Sequence, residues 1–302
     1  MQEPGGSPPL SSFFERLKHL EGEARRLAER LKGFAVDPDL VVAYEGTGLL
    51  AASTAVWYAA AQGRRLLAAD VPSALYHLVA YAERLRILAI SSEASPALRA
   101  LLDATRLLGH DALAVVPRRP TGGGWPDNVI GVDAGDELEF GFVANVAMLM
   151  ALVGGSGEGA RFRRLREHAG EGFAAVAEEL AERYSRELEA MAEAQSPCVV
   201  APQALGGAGD FVARALAERG ATFVGSQASL PASCESVIVL STSADEPFAR
   251  LASARARLQG KKVVNVSFNF DLFEASVYAS ILGILLRGVW LSPGRSEQGA
   301  KD

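Results

Sequence analysis

Short apolar runs alternate with longer segments of mixed character along most of the chain. Residues 39–44, 65–69, 86–91 and 112–116 read as strands, each a brief run rich in Val, Ile, Leu and Ala. Between them, residues 48–62, 72–83 and 96–109 carry apolar positions at helical spacing. A polar loop, PRRPTGGGWPDN, leads to a fifth short strand in NVIGVD, and Leu138–Val153 reads as a buried helix. Ahead of these, LSSFFERLKHLEGEARRLAERLKG over residues 10–33 has the apolar stripe and interleaved charges of an amphipathic helix. Apolar strands that alternate with helices predict a parallel sheet covered on both faces.

The rhythm breaks between residues 154 and 195. GGSGEGARFRRLREHAGEGF is glycine-rich and charged, and a strongly charged helix follows to about Ala194, so this stretch reads as a connector. The alternation then resumes, with strands at 197–201, 221–225, 236–241 and 262–266 and helices at 207–219, 245–259 and 271–287. The second half also echoes the first. Residues 88–116 align without gaps on 239–267, placing Ser92 on Ser243, Pro96 on Pro247 and Arg99 on Arg250. Likewise CVVAPQALGGAGDFVARALA is similar to VVAYEGTGLLAASTAVWYAA. The expected organisation is an N-terminal helix (1–35), one α/β domain (36–155), a connecting helix (156–195), a second α/β domain (196–290) and a tail (291–302).

Composition narrows the classes. Of 302 residues, 49% are hydrophobic and 22% charged, and the net charge is −6. That mild acidity opposes a nucleic-acid partner, which needs a basic face, and the few aromatics offer no stacking platform. Only Cys198 and Cys234 occur, outside any C-x-x-C pair, so neither a disulfide framework nor a zinc ribbon is expected. His19, His77, His110 and His168 are scattered singly, and no metal site is expected. MQEPGGSPPLSSFFERL lacks the basic and apolar regions of a signal peptide, and no apolar run has the length of a membrane span. The expectation is a cytoplasmic protein without a membrane partner. The apolar helix 271–287 suggests an inter-subunit or inter-domain seam, hence a homodimer.

The candidate chemistry lies at two turns. Strand 39–44 runs into Glu45-Gly46-Thr47-Gly48, and Gly46 through Ala51 satisfies G-x-G-x-x-A, a dinucleotide fingerprint. Asp70, where the second strand ends, is placed either to bind a ribose hydroxyl or to cap the helix behind it. An NAD(P)-dependent oxidoreductase is one reading of this pair. The third strand ends in Ser91-Ser92-Glu93-Ala94-Ser95-Pro96. Three hydroxyls at a helix N-terminus suit an anion, and Ser before Pro equally suits simple capping.

Taken together, a Gly-x-Gly turn after the first strand and a serine cluster after the third resemble the SIS (sugar isomerase) domain. Two such units after an N-terminal helix resemble the bifunctional phosphoglucose/phosphomannose isomerase family. The resemblance implies an α/β fold of two tandem SIS-type domains, each a mainly parallel sheet flanked by helices in a Rossmann-like three-layer sandwich. It implies aldose–ketose isomerisation of a phosphosugar through an enediol, without a cofactor. The alternative is a catalytically inactive SIS-domain protein that binds a phosphosugar or serves as a scaffold. Gly46, Thr47, Gly48, Ser91, Ser92 and Ser95 are then the phosphate-binding residues. The family has Gly-Gly-Ser-Gly at the first turn and Ser-Tyr-Ser-Gly-Asn-Thr-x-Glu at the third. Here Glu45 and Glu93 intrude, and each either opposes a phosphate dianion or points away from it.

The family's base is a Glu in Asn-Glu-Asn on the first helix of the second domain, and the count lands on Glu218 in Ala217-Glu218-Arg219. A solvated helix-end glutamate is the other reading of that residue. The family's ring-opening His follows Leu-Pro-Glu, whereas this chain has Leu230-Pro231-Ala232-Ser233-Cys234-Glu235. The family's Arg also lacks a counterpart, Gly135-Asp136-Glu137-Leu138 standing in its place, although Arg118 and Arg119 are close in sequence. Counting on from Arg287-Gly288-Val289, the family's C-terminal Lys falls on Lys301.

Overall fold

Every strand pairing is parallel, as the near-continuous apolar runs require of strands buried on both faces. The structure, a computed structural model, describes residues 10–35, 37, 39–121, 125–154, 160–226 and 230–291. Lys301 lies outside them. Contacts divide the chain into two units, Leu20–Gly172 and a second that joins the segment up to His19 with Phe173 onward. The division falls inside the first helix, α1 (Leu10–Ala35), and within the stretch that reads as a connector.

In the Leu20–Gly172 unit the order is β1 (Leu40–Glu45), α2 (Gly48–Ala61), β2 (Leu67–Asp70), α3 (Val71–Ser73), β3 (Arg86–Ser91), α4 (Pro96–Leu107), β4 (Asp111–Val116), β5 (Val129–Gly131), α5 (Glu137–Gly154) and α6 (Ala160–Glu171). The sheet runs β2-β1-β3-β4-β5. The helix expected over 72–83 differs in kind, α3 passing into a π-helical turn, Ala74–Val79. Leu98, Leu101, Leu102 and Thr105 place one face of α4 on the sheet, at the spacing that the periodicity predicts. Trp125 packs against the same core. α5 is apolar on all sides because it is buried on all sides, and Thr54 on α2 donates to Asn145 Oδ1 on α5 at 2.6 Å. His110 is buried, accepting from the Leu85 N–H at Nδ1 while Nε2 lies 3.0 Å from the Val79 carbonyl. That carbonyl makes Nε2 the protonated nitrogen, so the ring serves as a structural bracket.

At the same, amino-terminal, edge of this sheet Arg86 bridges Asp37 and Asp111, both at 2.9 Å, and lies over the Phe34 ring. The Asp39 N–H, and after it Arg86, hold the Asp37 carboxyl below the usual range. A depressed folded value contributes stability above about pH 4, the unfolded value, and loses it as pH falls through the folded one. Arg86→Ala should therefore cost about 1 kcal/mol at pH 7, and the gap to wild type in urea unfolding should narrow below pH 4.

The other unit contains α7 (Ala177–Arg183), α8 (Ser185–Glu193), β6 (Pro197–Val200), α9 (Gly206–Ala215), β7 (Thr222–Phe223), β8 (Ser236–Thr242), α10 (Glu246–Leu258), β9 (Lys262–Phe268) and α11 (Leu272–Leu285). Its sheet runs β7-β6-β8-β9. The repeat seen in the sequence corresponds to β3-α4-β4 and β8-α10-β9, both parallel crossovers. One sequence expectation is corrected here. Cys198 and Cys234 form a disulfide across 36 residues of chain, because β6 and the approach to β8 bring their Cα atoms to 5.7 Å. Linear spacing carries no trace of that pairing. α11, whose apolar sequence suggests an inter-subunit or inter-domain seam, is buried from Phe273 to Leu285 and packs on α7 and α9. Glu137–Gly154 and Leu272–Trp290 are long and apolar enough to cross a membrane, but 78% and 83% of their windows are buried in the protein as core helices.

Candidate functional site: the carboxyl ends of β1 and β3

The strand order β2-β1-β3-β4-β5 reverses direction between β1 and β3. In open parallel sheets that reversal leaves a crevice outside the carboxyl ends of the two strands, where ligands bind. Both singled-out turns lie there. Glu45 pairs in register with Ser91, so the glycine turn and the serine turn leave the sheet side by side.

The glycine turn is held tightly. Gly46 has φ +58°, and a Cβ on it would stand 1.9 Å from Ser92 Oγ. Gly48 starts α2 against β3, where a Cβ would lie 2.0 Å from the Ile90 carbonyl oxygen. Thr47 is buried and donates its hydroxyl to the Glu137 carbonyl at 2.7 Å. That hydroxyl therefore fastens the turn to the start of α5 and is not presented to a ligand. The fingerprint glycines serve close backbone approach, which is one of their uses in nucleotide folds but does not require a nucleotide. Asp70 caps α3 by accepting from the Ser73 N–H at 2.7 Å, and that bond is the first cause of its lowered pKa. Its role as a cap accounts for the acid.

The serine turn is already occupied. Ser91 Oγ lies 2.8 Å from Glu45 Oε2 and 2.6 Å from the Glu93 carbonyl, sharing one proton between two acceptors. Ser95 donates to the same Glu45 oxygen at 2.7 Å and accepts from the Leu98 N–H as the N-cap of α4. Glu45, itself held by the Ser92 N–H at its carbonyl, thus puts a carboxylate where two hydroxyls and a helix N-terminus converge. Glu93 is exposed, and it meets Ser91 through its backbone carbonyl and N–H. Of the two intruding acids, Glu45 is the one that matters. Sequence reasoning marked it as an obstacle; the i-to-j register that lets one carboxylate reach Ser91 and Ser95 is visible only in the pairing of β1 with β3.

The second sheet repeats the device. The order β7-β6-β8-β9 reverses between β6 and β8, and there both the N–H and the hydroxyl of Thr242 donate to Asp245 Oδ2, at 3.1 and 2.6 Å. Glu218 is not near that edge. It lies exposed in the turn after α9, where the Ser196 N–H, just ahead of β6, donates to the neighbouring Arg219 carbonyl. This is the amino-terminal edge of its sheet, opposite the crevice. Gly46, Thr47, Gly48, Ser91, Ser92 and Ser95 are brought together at the carboxyl edge of the first sheet.

No family model matches the chain, and no curated protein matches it. Solved structures do. The C-terminal domain of glucosamine-fructose-6-phosphate aminotransferase from Francisella tularensis aligns over 91% of this chain and 93% of its own, with TM-score 0.63 and 11% identity. The chain shares the fold of that domain, parallel sheets flanked by helices. Tagatose-6-phosphate ketose/aldose isomerase from Escherichia coli aligns over 92% of this chain and 90% of its own, with TM-score 0.59 and 14% identity. Glucosamine-6-phosphate deaminase from Thermotoga maritima aligns over 90% and 93%, also with TM-score 0.59 and 14% identity. At such identities the likeness is one of architecture, and this chain carries its own set of side chains at each switch point.

Proposed function

We propose that this SIS-fold protein binds a sugar phosphate at the carboxyl edge of the β2-β1-β3-β4-β5 sheet and does not isomerise it. The observation that carries the reading is the bond pair from Ser91 and Ser95 to Glu45 Oε2. An isomerase needs a base and an acid on opposite sides of the reacting carbons. Here the Glu45 carboxylate at the first sheet's switch point is engaged by two hydroxyls as a fixed acceptor, and Glu218 lies at the amino-terminal edge of its own sheet, away from that sheet's switch point. Three of the similar structures act on, or are named for, amino or keto sugar phosphates, which favours that ligand class over a dinucleotide.

Thermal unfolding in the presence of fructose 6-phosphate, glucose 6-phosphate, glucose and NAD tests this. Saturating sugar phosphate should raise stability, by about 2.7 kcal/mol at a hundred times its Kd, with no interconversion of the two phosphates. Turnover that is lost in Glu218→Gln would restore the isomerase reading. Stabilisation by NAD alone would replace both with a nucleotide site.

A further inference from the structure

A second feature of the same edge has no part in the serine turn. Beyond the carboxyl ends of β4 and β5, where Val116 pairs with Gly131, lies a cavity of about 450 Å³ lined by Arg30, Arg118, Arg119, Gly131, Val132 and Asp133, with Val129 beneath. We propose that this cavity is the phosphate subsite: its guanidinium groups hold the phosphomonoester, and the Glu45 carboxylate accepts the sugar hydroxyls. The proposal rests on the sugar-phosphate reading above and divides that ligand between two places.

The cavity is built for its arginines. Pro117 and Pro120 flank the pair Arg118-Arg119 and restrict the backbone on both sides. Arg119 lies so close to the end of β5 that a Cβ on Gly131 would stand 2.4 Å from its backbone nitrogen. Only glycine permits that approach. Arg30, from α1, has Arg26 four residues before it and Phe34 four residues after, so no acid on its own helix pairs with it. Elsewhere such pairs are common, as in Arg25–Glu21, Arg214–Asp210 and Arg250–Glu246. Among the described residues neither Arg30 nor Arg118 has an ion-pair partner, while Arg119 faces Asp127 at 3.3 Å. Three guanidiniums against Asp127 and Asp133 leave a net positive charge, and the guanidinium fork matches phosphate oxygens in pairs.

The serine turn, by contrast, already holds an anion. A dianion brought to Ser91 and Ser95 would meet Glu45 at contact distance, whereas in the arginine cavity the three guanidiniums outnumber Asp127 and Asp133. The two places are two strand spacings apart on one edge, about 10 Å. That is close to the reach of an extended hexose phosphate, with phosphate over β4 and β5 and polyol over β1 and β3.

The test is calorimetric titration of the full chain with fructose 6-phosphate, fructose and inorganic phosphate, in wild type, Arg30→Gln, Arg118→Gln and Ser91→Ala, with circular dichroism to confirm folding. Since both arginines are exposed, their replacement should leave the fold intact. The expected result is that each arginine variant weakens fructose 6-phosphate by about tenfold or more and weakens inorganic phosphate in parallel. If fructose 6-phosphate binds and the arginine variants match wild type while Ser91→Ala loses it, the arginine subsite is overturned and the sugar-phosphate reading stands. If only inorganic phosphate binds, and depends on Arg30 and Arg118, the subsite stands and the sugar-phosphate reading falls. Binding of none of the three overturns both.

Discussion

Gly48→Ala is expected to destabilise the protein by about 3 kcal/mol or more, the upper part of the range for overpacking a closed site. The new methyl carbon would lie 2.0 Å from the Ile90 carbonyl oxygen and 2.8 Å from its carbon. Both are main-chain atoms of β3, a central strand hydrogen-bonded to β1 on one side and β4 on the other. No rotamer change can relieve such a clash. Relief requires α2 to lift from the sheet, which would also disturb its packing on α5 and the Thr54–Asn145 bond. Gly46→Ala makes a useful contrast, since its clash is with the Ser92 hydroxyl, a side chain that can rotate, and the cost there comes chiefly from φ +58°. Chemical denaturation of the two variants should show Gly48→Ala as the more damaging. Equal midpoints would mean that the start of α2 is not held against Ile90.

Glu45→Ala is expected to convert the serine turn into a phosphate site. With the carboxylate present, an incoming dianion near Ser91 and Ser95 would sit about 4 Å from a like charge, a repulsion of about 4 kcal/mol per charge pair at the effective dielectric of a protein surface. Even a fraction of this amounts to a tenfold or greater gain in affinity on removal. The variant keeps Ser95 at the N-cap of α4 and both turn glycines in place, so the donors for an anion persist. Without phosphate it should be less stable than wild type, because the Ser95 bond to a charged acceptor, contributing about 1.5–3 kcal/mol, is lost, while Ser91 keeps its bond to the Glu93 carbonyl. With phosphate the loss should be recovered. Calorimetry should count one inorganic phosphate per chain in wild type, in the arginine cavity, and two in the variant. Identical isotherms would show that Glu45 does not govern the turn.

Much of the architecture is legible in the chain. The β1 to β5 run, the buried helix at Leu138–Val153 and the return of the α/β rhythm after residue 195 all follow from apolar runs too short for helices and helical spacing between them. That reading works because a parallel strand buried on both faces must be apolar throughout, and burial leaves a local signature. The clustering of Gly46, Thr47, Gly48, Ser91, Ser92 and Ser95 is also legible, since consecutive parallel strands place their carboxyl ends on one edge. The helix at 72–83 was readable as helical but not as π-helical, because that choice is made by the packing of its neighbours rather than by its own residues.

What the sequence determined by itself is therefore the fold class and the edge on which the candidate residues meet, both set by periodicity and chain order. Tertiary structure alone decided what those residues touch. Glu45 reaches Ser91 and Ser95 across 46 and 50 residues, Cys198 reaches Cys234 across 36, and Arg30 joins Arg118 and Arg119 at one cavity. Each depends on the register and direction of side chains from distant segments, and no local pattern encodes a distance between them. Hydrophobic periodicity records only whether a residue is buried; hydrogen bonds and charges act over a few ångströms, so their partners appear only when the chain has brought them together.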